Sequence, residues 1–124
     1  MAAAPYRVLV VEDEDLISML TEDMLGNLGY EVGSAVATLK DGVKAAADGN
    51  FDIAVLDINL RGEKSYPIAD ILIERGIPFV FTSGYAAKGV DQRYSKTPTL
   101  QKPFTQESLK SVLSLSLGRR CSVS

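Results

Sequence analysis

A chain of 124 residues that is 46% hydrophobic and 23% charged fits one compact domain with a real core, held without metal or disulfide staples. The absence of histidine excludes the usual zinc sites and histidine-based general catalysis, and a lone Cys121 cannot form an internal disulfide, which fits a reducing compartment. A net charge of −3 with no lysine/arginine stripe argues against the chain gripping nucleic acid, and no stretch approaches the roughly 18 apolar residues of a membrane span.

Residues 1–6 are small and nearly uncharged, without the basic start of a signal peptide, so a soluble, cytoplasmic domain over 1–124 is expected. Residues 6–11 form a short Val-rich run closed by acids, the pattern of a strand buried on both faces. From Asp15 the period becomes helical: Leu16, Met19/Leu20, Met24 and Leu28 fall on one face, and Gly29 supplies a C-cap. Residues 30–37 read as a second, less apolar strand at an edge, and Leu39–Asp48 as a short helix closed by Gly49-Asn50. Residues 51–56 are another buried strand, ending on Asp57.

A loop through Arg61-Gly62-Glu63 leads to a helix over 67–75 that stops at Gly76. Residues 78–81 give the fourth strand, ending at Thr82-Ser83-Gly84. A fourth helix is expected over 86–94, although Gly89 interrupts it and Val90 is its only aliphatic beyond Ala. Thr99–Gln101 is a short fifth strand before Lys102-Pro103. Thr105 N-caps a last helix that turns Leu109, Val112, Leu113 and Leu117 to the core, stops at Gly118, and leaves 119–124 as a polar tail. Five strands alternating with five helices imply a three-layer, doubly wound α/β sandwich around a parallel sheet.

In such a sheet every strand's C-terminal end lies along one edge, where open α/β folds bind ligands. The residues at those ends are Glu12 and Asp13, Asp57, Thr82 and Lys102, each polar or charged, with apolar runs leading into Glu12, Asp57 and Thr82. In the order 2-1-3-4-5, Asp13 and Asp57 stand on neighbouring strands about 4.8 Å apart, and the long stem of Lys102 spans most of the two-strand gap to Asp57. Clustered carboxylates repel unless a cation or proton intervenes, and hard oxygen ligands with open positions suit Mg²⁺. A carboxylate beside that metal can attack phosphorus, while an ammonium and a hydroxyl neutralise the transferred oxygens. Glu14 and Asp15 read as acids at the start of the next helix, and Asn59 and Gly84 flank the pocket.

The runs Val8-Leu9-Val10-Val11-Glu12-Asp13-Glu14, Ala54-Val55-Leu56-Asp57-Ile58-Asn59-Leu60, Phe81-Thr82-Ser83-Gly84 and Gln101-Lys102-Pro103-Phe104 resemble, in order and spacing, the response-regulator receiver family. The resemblance covers essentially the whole chain and implies a flavodoxin-like (βα)5 fold. It implies that Asp57 is the phosphoacceptor and that Asp13 ligates Mg²⁺ directly. It also implies Glu12 acting through bound water, Asn59 offering its main-chain carbonyl, Thr82 swinging toward an aspartyl phosphate, and Lys102 pairing with it. A cis Lys102-Pro103 bond is implied too. The donor would be a histidine kinase or phosphotransfer protein, since this chain has no histidine of its own; the output partner is unknown.

Two departures bear on the readout. Receivers carry Phe or Tyr three residues before the lysine, and here that position is Thr99. Thr82-Ser83-Gly84-Tyr85 followed by a weak helix is similar to the alphaproteobacterial variant subfamily nicknamed "FAT GUY" for its Phe-Ala-Thr-Gly-Gly-Tyr-like motif, often stand-alone receivers. Together these put the moving part in Tyr85 and residues 86–94, with Thr82, Tyr85, Thr99 and Lys102 as the switch. Arg61 stands where many receivers have proline, which implies a looser loop after Asp57. The alternative is an aspartyl-nucleophile phosphatase, but such enzymes use a second Asp where this chain has Asn59, which exchanges no proton. A flavin-type binder is disfavoured by an acidic, glycine-free first βα loop.

Overall fold

The computed structural model of the chain describes residues 5–84, 91–94 and 96–122, without the side chains of 119–122. In chain order the elements are β1 (Arg7–Val11), α1 (Asp15–Asn27), β2 (Glu31–Val36), α2 (Leu39–Asp48), β3 (Ile53–Asp57), β4 (Asn59–Leu60), β5 (Glu63–Lys64), α3 (Tyr66–Glu74), β6 (Phe79–Ser83), β7 (Thr99–Gln101) and α4 (Gln106–Ser122). A 3-10 turn, Gln92–Tyr94, precedes β7. The main sheet is parallel in the order β2-β1-β3-β6-β7, while β4 and β5 form a separate antiparallel hairpin. With the hairpin set aside, this is the expected order 2-1-3-4-5.

The central strands alternate into two apolar layers, because side chains along a strand point to opposite faces. Leu9 and Val11, Ala54 and Leu56, Phe79 and Phe81 pack against Ala46 of α2 and Ile68 and Leu72 of α3. Val8 and Val10, Ile53 and Val55, and Val80 pack against Leu25 of α1 and Leu109, Leu113 and Leu117 of α4. Burial on both faces explains why these strands read as continuous apolar runs. β2, at the edge, is half-exposed along its length.

Several expectations need correction. On α1, Leu16, Met19 and Leu20 are 69%, 61% and 49% exposed, whereas Thr21 and Leu25 are buried. The inward stripe runs through Thr21, whose hydroxyl donates to the Ile17 carbonyl (2.8 Å) and so enters the core satisfied. Gly29 and Gly76 end α1 and α3 at φ 88° and 71°, as expected. Gly118 does not end α4, which continues to Ser122; the expected tail is largely helical because Gly118 keeps an ordinary backbone and two good helix formers, Arg119 and Arg120, follow it. Thr105 does cap α4, its Oγ1 accepting from the Ser108 N–H (3.0 Å).

The helix expected over 86–94 does not reach its last turn: residues 92–94 are 3-10. Tyr85 and residues 86–90 lie outside the described residues. The loop after Asp57 is not loose either. Asn59 pairs with Lys64 and Leu60 with Glu63 across a two-residue turn of Arg61 and Gly62, at φ 53° and 87°. Positive φ at both central residues is the type I′ geometry that matches strand twist.

Candidate functional site

The ladder of the sheet delivers the site. Asp57 is in register with Thr82 on β6, and Thr82 with Leu100 on β7. The main chain extends this past the strand ends, with Ile58 N–H donating to the Thr82 carbonyl (3.0 Å) and Lys102 N–H to the Ser83 carbonyl (2.7 Å). Lys102-Pro103 is cis, as expected. The last residues of β1, β3, β6 and β7 are thereby brought to one rim.

Lys102 Nζ lies 3.1 Å from Asp57 Oδ2 and 3.1 Å from Glu12 Oε1, bridging carboxylates 45 and 90 residues away in sequence. Glu12 and Asp57 are each 4% exposed. Asp13, half-buried beside them, accepts the Arg61 N–H on Oδ2 (2.9 Å). Asp57 Oδ1 accepts the Asn59 N–H (3.2 Å), and Glu12 Oε2 accepts the Glu14 N–H (3.1 Å). Glu14 occupies the N-cap position of α1 without a side-chain cap bond. Ser65 N–H donates to the Ile58 carbonyl (2.8 Å), so by antiparallel alternation Asn59 is a non-hydrogen-bonded pair with Lys64, its main-chain groups facing away from β5.

One ammonium pairs with two of three clustered acids, and the titration behaviour follows. Burial, reinforced by the charge of Asp57, pushes the Glu12 carboxyl up to about 7, against the Glu14 amide and Lys102. Burial also raises Asp57, though Lys102 and Glu12 pull the other way. For Asp13 burial is outweighed by the Arg61 amide and neighbouring side chains, and its carboxyl sits below the ordinary value. Lys102 is raised in spite of burial because Asp57 and Glu12 hold its proton. The pocket therefore favours a proton on Glu12 or a further cation.

Carboxylate oxygens of Glu12, Asp13 and Asp57 lie within 4.8 Å of one another. Hard oxygen donors at this spacing, with charge left uncompensated by Lys102, fit a small divalent cation such as Mg²⁺. Thr82 is buried at the same rim (2% exposed). Thr99 is half-buried on β7, opposite Phe81, and its hydroxyl turns to the Thr97 carbonyl (3.4 Å).

One group escaped sequence reasoning. Tyr94 is 2% exposed, stacked on Tyr66 (4.7 Å between centroids) and edge-on to Phe81 (5.7 Å). Its hydroxyl donates to Asp70, which also pairs with Arg93 (3.4 Å). The end of the segment expected to pack weakly is thus firmly anchored. A lone aromatic after Asp91-Gln92-Arg93 carries no periodicity to reveal that.

A family model described as the response regulator receiver domain matches residues 8–114. The transcriptional regulatory protein PdtaR of Mycobacterium tuberculosis is 28% identical over 122 residues, covering 95% of this chain and 60% of PdtaR, so the chain spans about three-fifths of that relative. The solution structure of SdrG from Sphingomonas melonis Fr1 superposes with a TM-score of 0.83 at 43% identity, covering 94% of this chain and 98% of SdrG. The BeF3-activated conformation of SdrG, from Pseudomonas melonis Fr1, gives a TM-score of 0.79 at 42% identity over 94% and 99% of the two chains.

Proposed function

Since the chain belongs to the response-regulator receiver family, we propose that it is a phosphorylation switch in which Asp57 accepts a phosphoryl group from a histidine kinase or phosphotransfer protein. The observation that carries the assignment is Asp57 itself, a buried strand-end carboxylate bracketed by Lys102 and by Glu12 and Asp13. A carboxylate oxygen of Asp57 forms the bond to phosphorus as the bond to the donor's imidazole nitrogen breaks, and the electron pair returns to that nitrogen. Lys102, already 3.1 Å from Asp57, follows the charge onto the phosphoryl oxygens, and Thr82, in register beside Asp57, supplies a hydroxyl. Asp13, Asp57 and the Asn59 carbonyl would hold Mg²⁺, with Glu12 acting through water, and the ion would neutralise the phosphoryl oxygens.

A phosphohistidine donor has to be another protein, as the chain has no histidine. A largely apolar groove lined by Ile17, Leu20, Met24, Pro103 and Phe104 also takes in Lys102, which pairs with the acceptor Asp57. That apolar surface favours a protein donor over a small phosphate ester alone. The chain is in this reading a cytoplasmic signalling receiver, with chemistry limited to its own phosphorylation and dephosphorylation. The 43% identity to SdrG supports a receiver of the SdrG type; in this reading Thr82, Tyr85, Thr99 and Lys102 form its switch. The test is labelling by a cognate kinase or acetyl phosphate with Mg²⁺: Asp57→Asn should abolish it, and persistent labelling would reject the assignment.

A further inference from the structure

We propose that the main-chain N–H of Arg61, held in a left-handed turn, is the positioning group that orients Asp13 for a divalent cation. The inference rests on the Mg²⁺ reading above and names what prepares that site. Arg61 is the one described non-glycine residue at positive φ (53°), and it shares the turn with Gly62 at 87°. L-residues adopt this conformation reluctantly, so the turn is held there by its surroundings. The surroundings are visible: Leu60 pairs with Glu63 on either side, and the Arg61 N–H donates to Asp13 Oδ2 at 2.9 Å.

The same hairpin sends the Asn59 N–H to Asp57 Oδ1. One β-hairpin thus fixes two of the three clustered carboxylates, each through one oxygen. A carboxylate pinned by one oxygen presents the other in a set direction, and such outer donors change metal affinity on the order of 10–100-fold. The Arg61 side chain itself is exposed, so the role falls to the main chain. Proline at this position would lack the N–H, and its ring fixes φ near about −65°, incompatible with the turn. Glycine would keep both the N–H and the left-handed backbone.

The experiment is a Mg²⁺ titration of the full chain, by calorimetry and by amide chemical shifts, for wild type, Arg61→Gly and Arg61→Pro. Arg61→Gly should bind within about twofold of wild type, and Arg61→Pro about tenfold more weakly or worse. Unfolding midpoints in chelator establish that both variants fold. Equal affinity of Arg61→Pro and wild type overturns the inference and leaves the metal reading intact; a wild type that binds no Mg²⁺ overturns the metal reading itself. Arg61→Gly binding as weakly as Arg61→Pro would move the role to the guanidinium and also overturn it. Should Arg61→Pro fail to fold, the Arg61 amide resonance decides. In Asp13→Ala it should shift and exchange with solvent faster, and an unmoved amide rejects the contact.

Discussion

Phe81 and Thr82 are neighbours on β6, yet they belong to regions built on opposite principles. Thr82 borders a pocket where three acids cluster and one lysine pairs with two of them, and Phe81 belongs to an aromatic cluster with Tyr66 and Tyr94. In the cluster the polar groups are paired: the Tyr94 hydroxyl with Asp70, Asp91 N–H with the Tyr66 hydroxyl (2.8 Å), and Arg93 over the Tyr94 ring (4.7 Å). The pocket is electrostatically incomplete, so its energy depends on what arrives from solution. The cluster is complete and independent of it. A switch needs both, a site that responds to charge and a frame that does not.

The largest effect that tests this contrast is Asp57→Asn, which should remove phosphoryl labelling altogether while leaving the unfolding midpoint close to wild type or higher, since it removes a charge from a crowded pocket. Next comes Tyr94→Ala. Emptying a nearly buried ring site should cost about 3–5 kcal/mol of stability in urea melts, with Mg²⁺ affinity of the folded protein unchanged within about twofold. A parallel fall in Mg²⁺ affinity would show that pocket and cluster are one unit.

The pH response is smaller and has a definite sign. The Glu12 carboxyl moves from 4.5 to about 7, so between those values the native chain holds a proton that the unfolded chain has released. Metal-free stability should therefore fall as pH rises through this window and level off above it. Asp57, also raised, acts in the same direction, and no histidine titrates there to mask the effect. Mg²⁺ should reverse the trend, because it binds better once Glu12 has lost its proton. Thermal melts from pH 5 to 8, with and without Mg²⁺, measure both arms; a metal-free midpoint that climbs across the window would contradict the crowded-carboxylate picture.

How legible each region was in the sequence follows from the same contrast. The pocket could be read because buried parallel strands announce themselves as apolar runs, and Glu12, Asp57 and Thr82 break those runs at their ends, while Lys102 follows the short β7 just before a proline. The clamp on Asp13 was hidden, because it uses a main-chain N–H and a left-handed arginine that no side-chain pattern encodes. Arg61-Gly62 between two residue pairs was the available signal, an X-Gly turn of the hairpin kind. Tyr94 was hidden for another reason: its burial is made by α3 and β6, remote in sequence. On α1, aliphatic periodicity misled because Thr21 took a core position that pattern reading assigns to Leu20.

The smallest effect discriminates most finely. Tyr94→Phe removes only the hydroxyl that donates to Asp70, and keeps the stack on Tyr66 and the edge contact with Phe81. The Asp70 side chain is 49% exposed and can take water in place of the hydroxyl, so the loss should be one ordinary hydrogen bond, about 1 kcal/mol. Burial and Asp70 both hold the phenol proton in place, so the loss should be constant from pH 5 to 9. If Tyr94→Phe instead costs as much as Tyr94→Ala, the hydroxyl and not the ring holds the segment before β7. The aromatic cluster would then be a charged latch like the pocket, and the division between responsive site and inert frame would have to be redrawn.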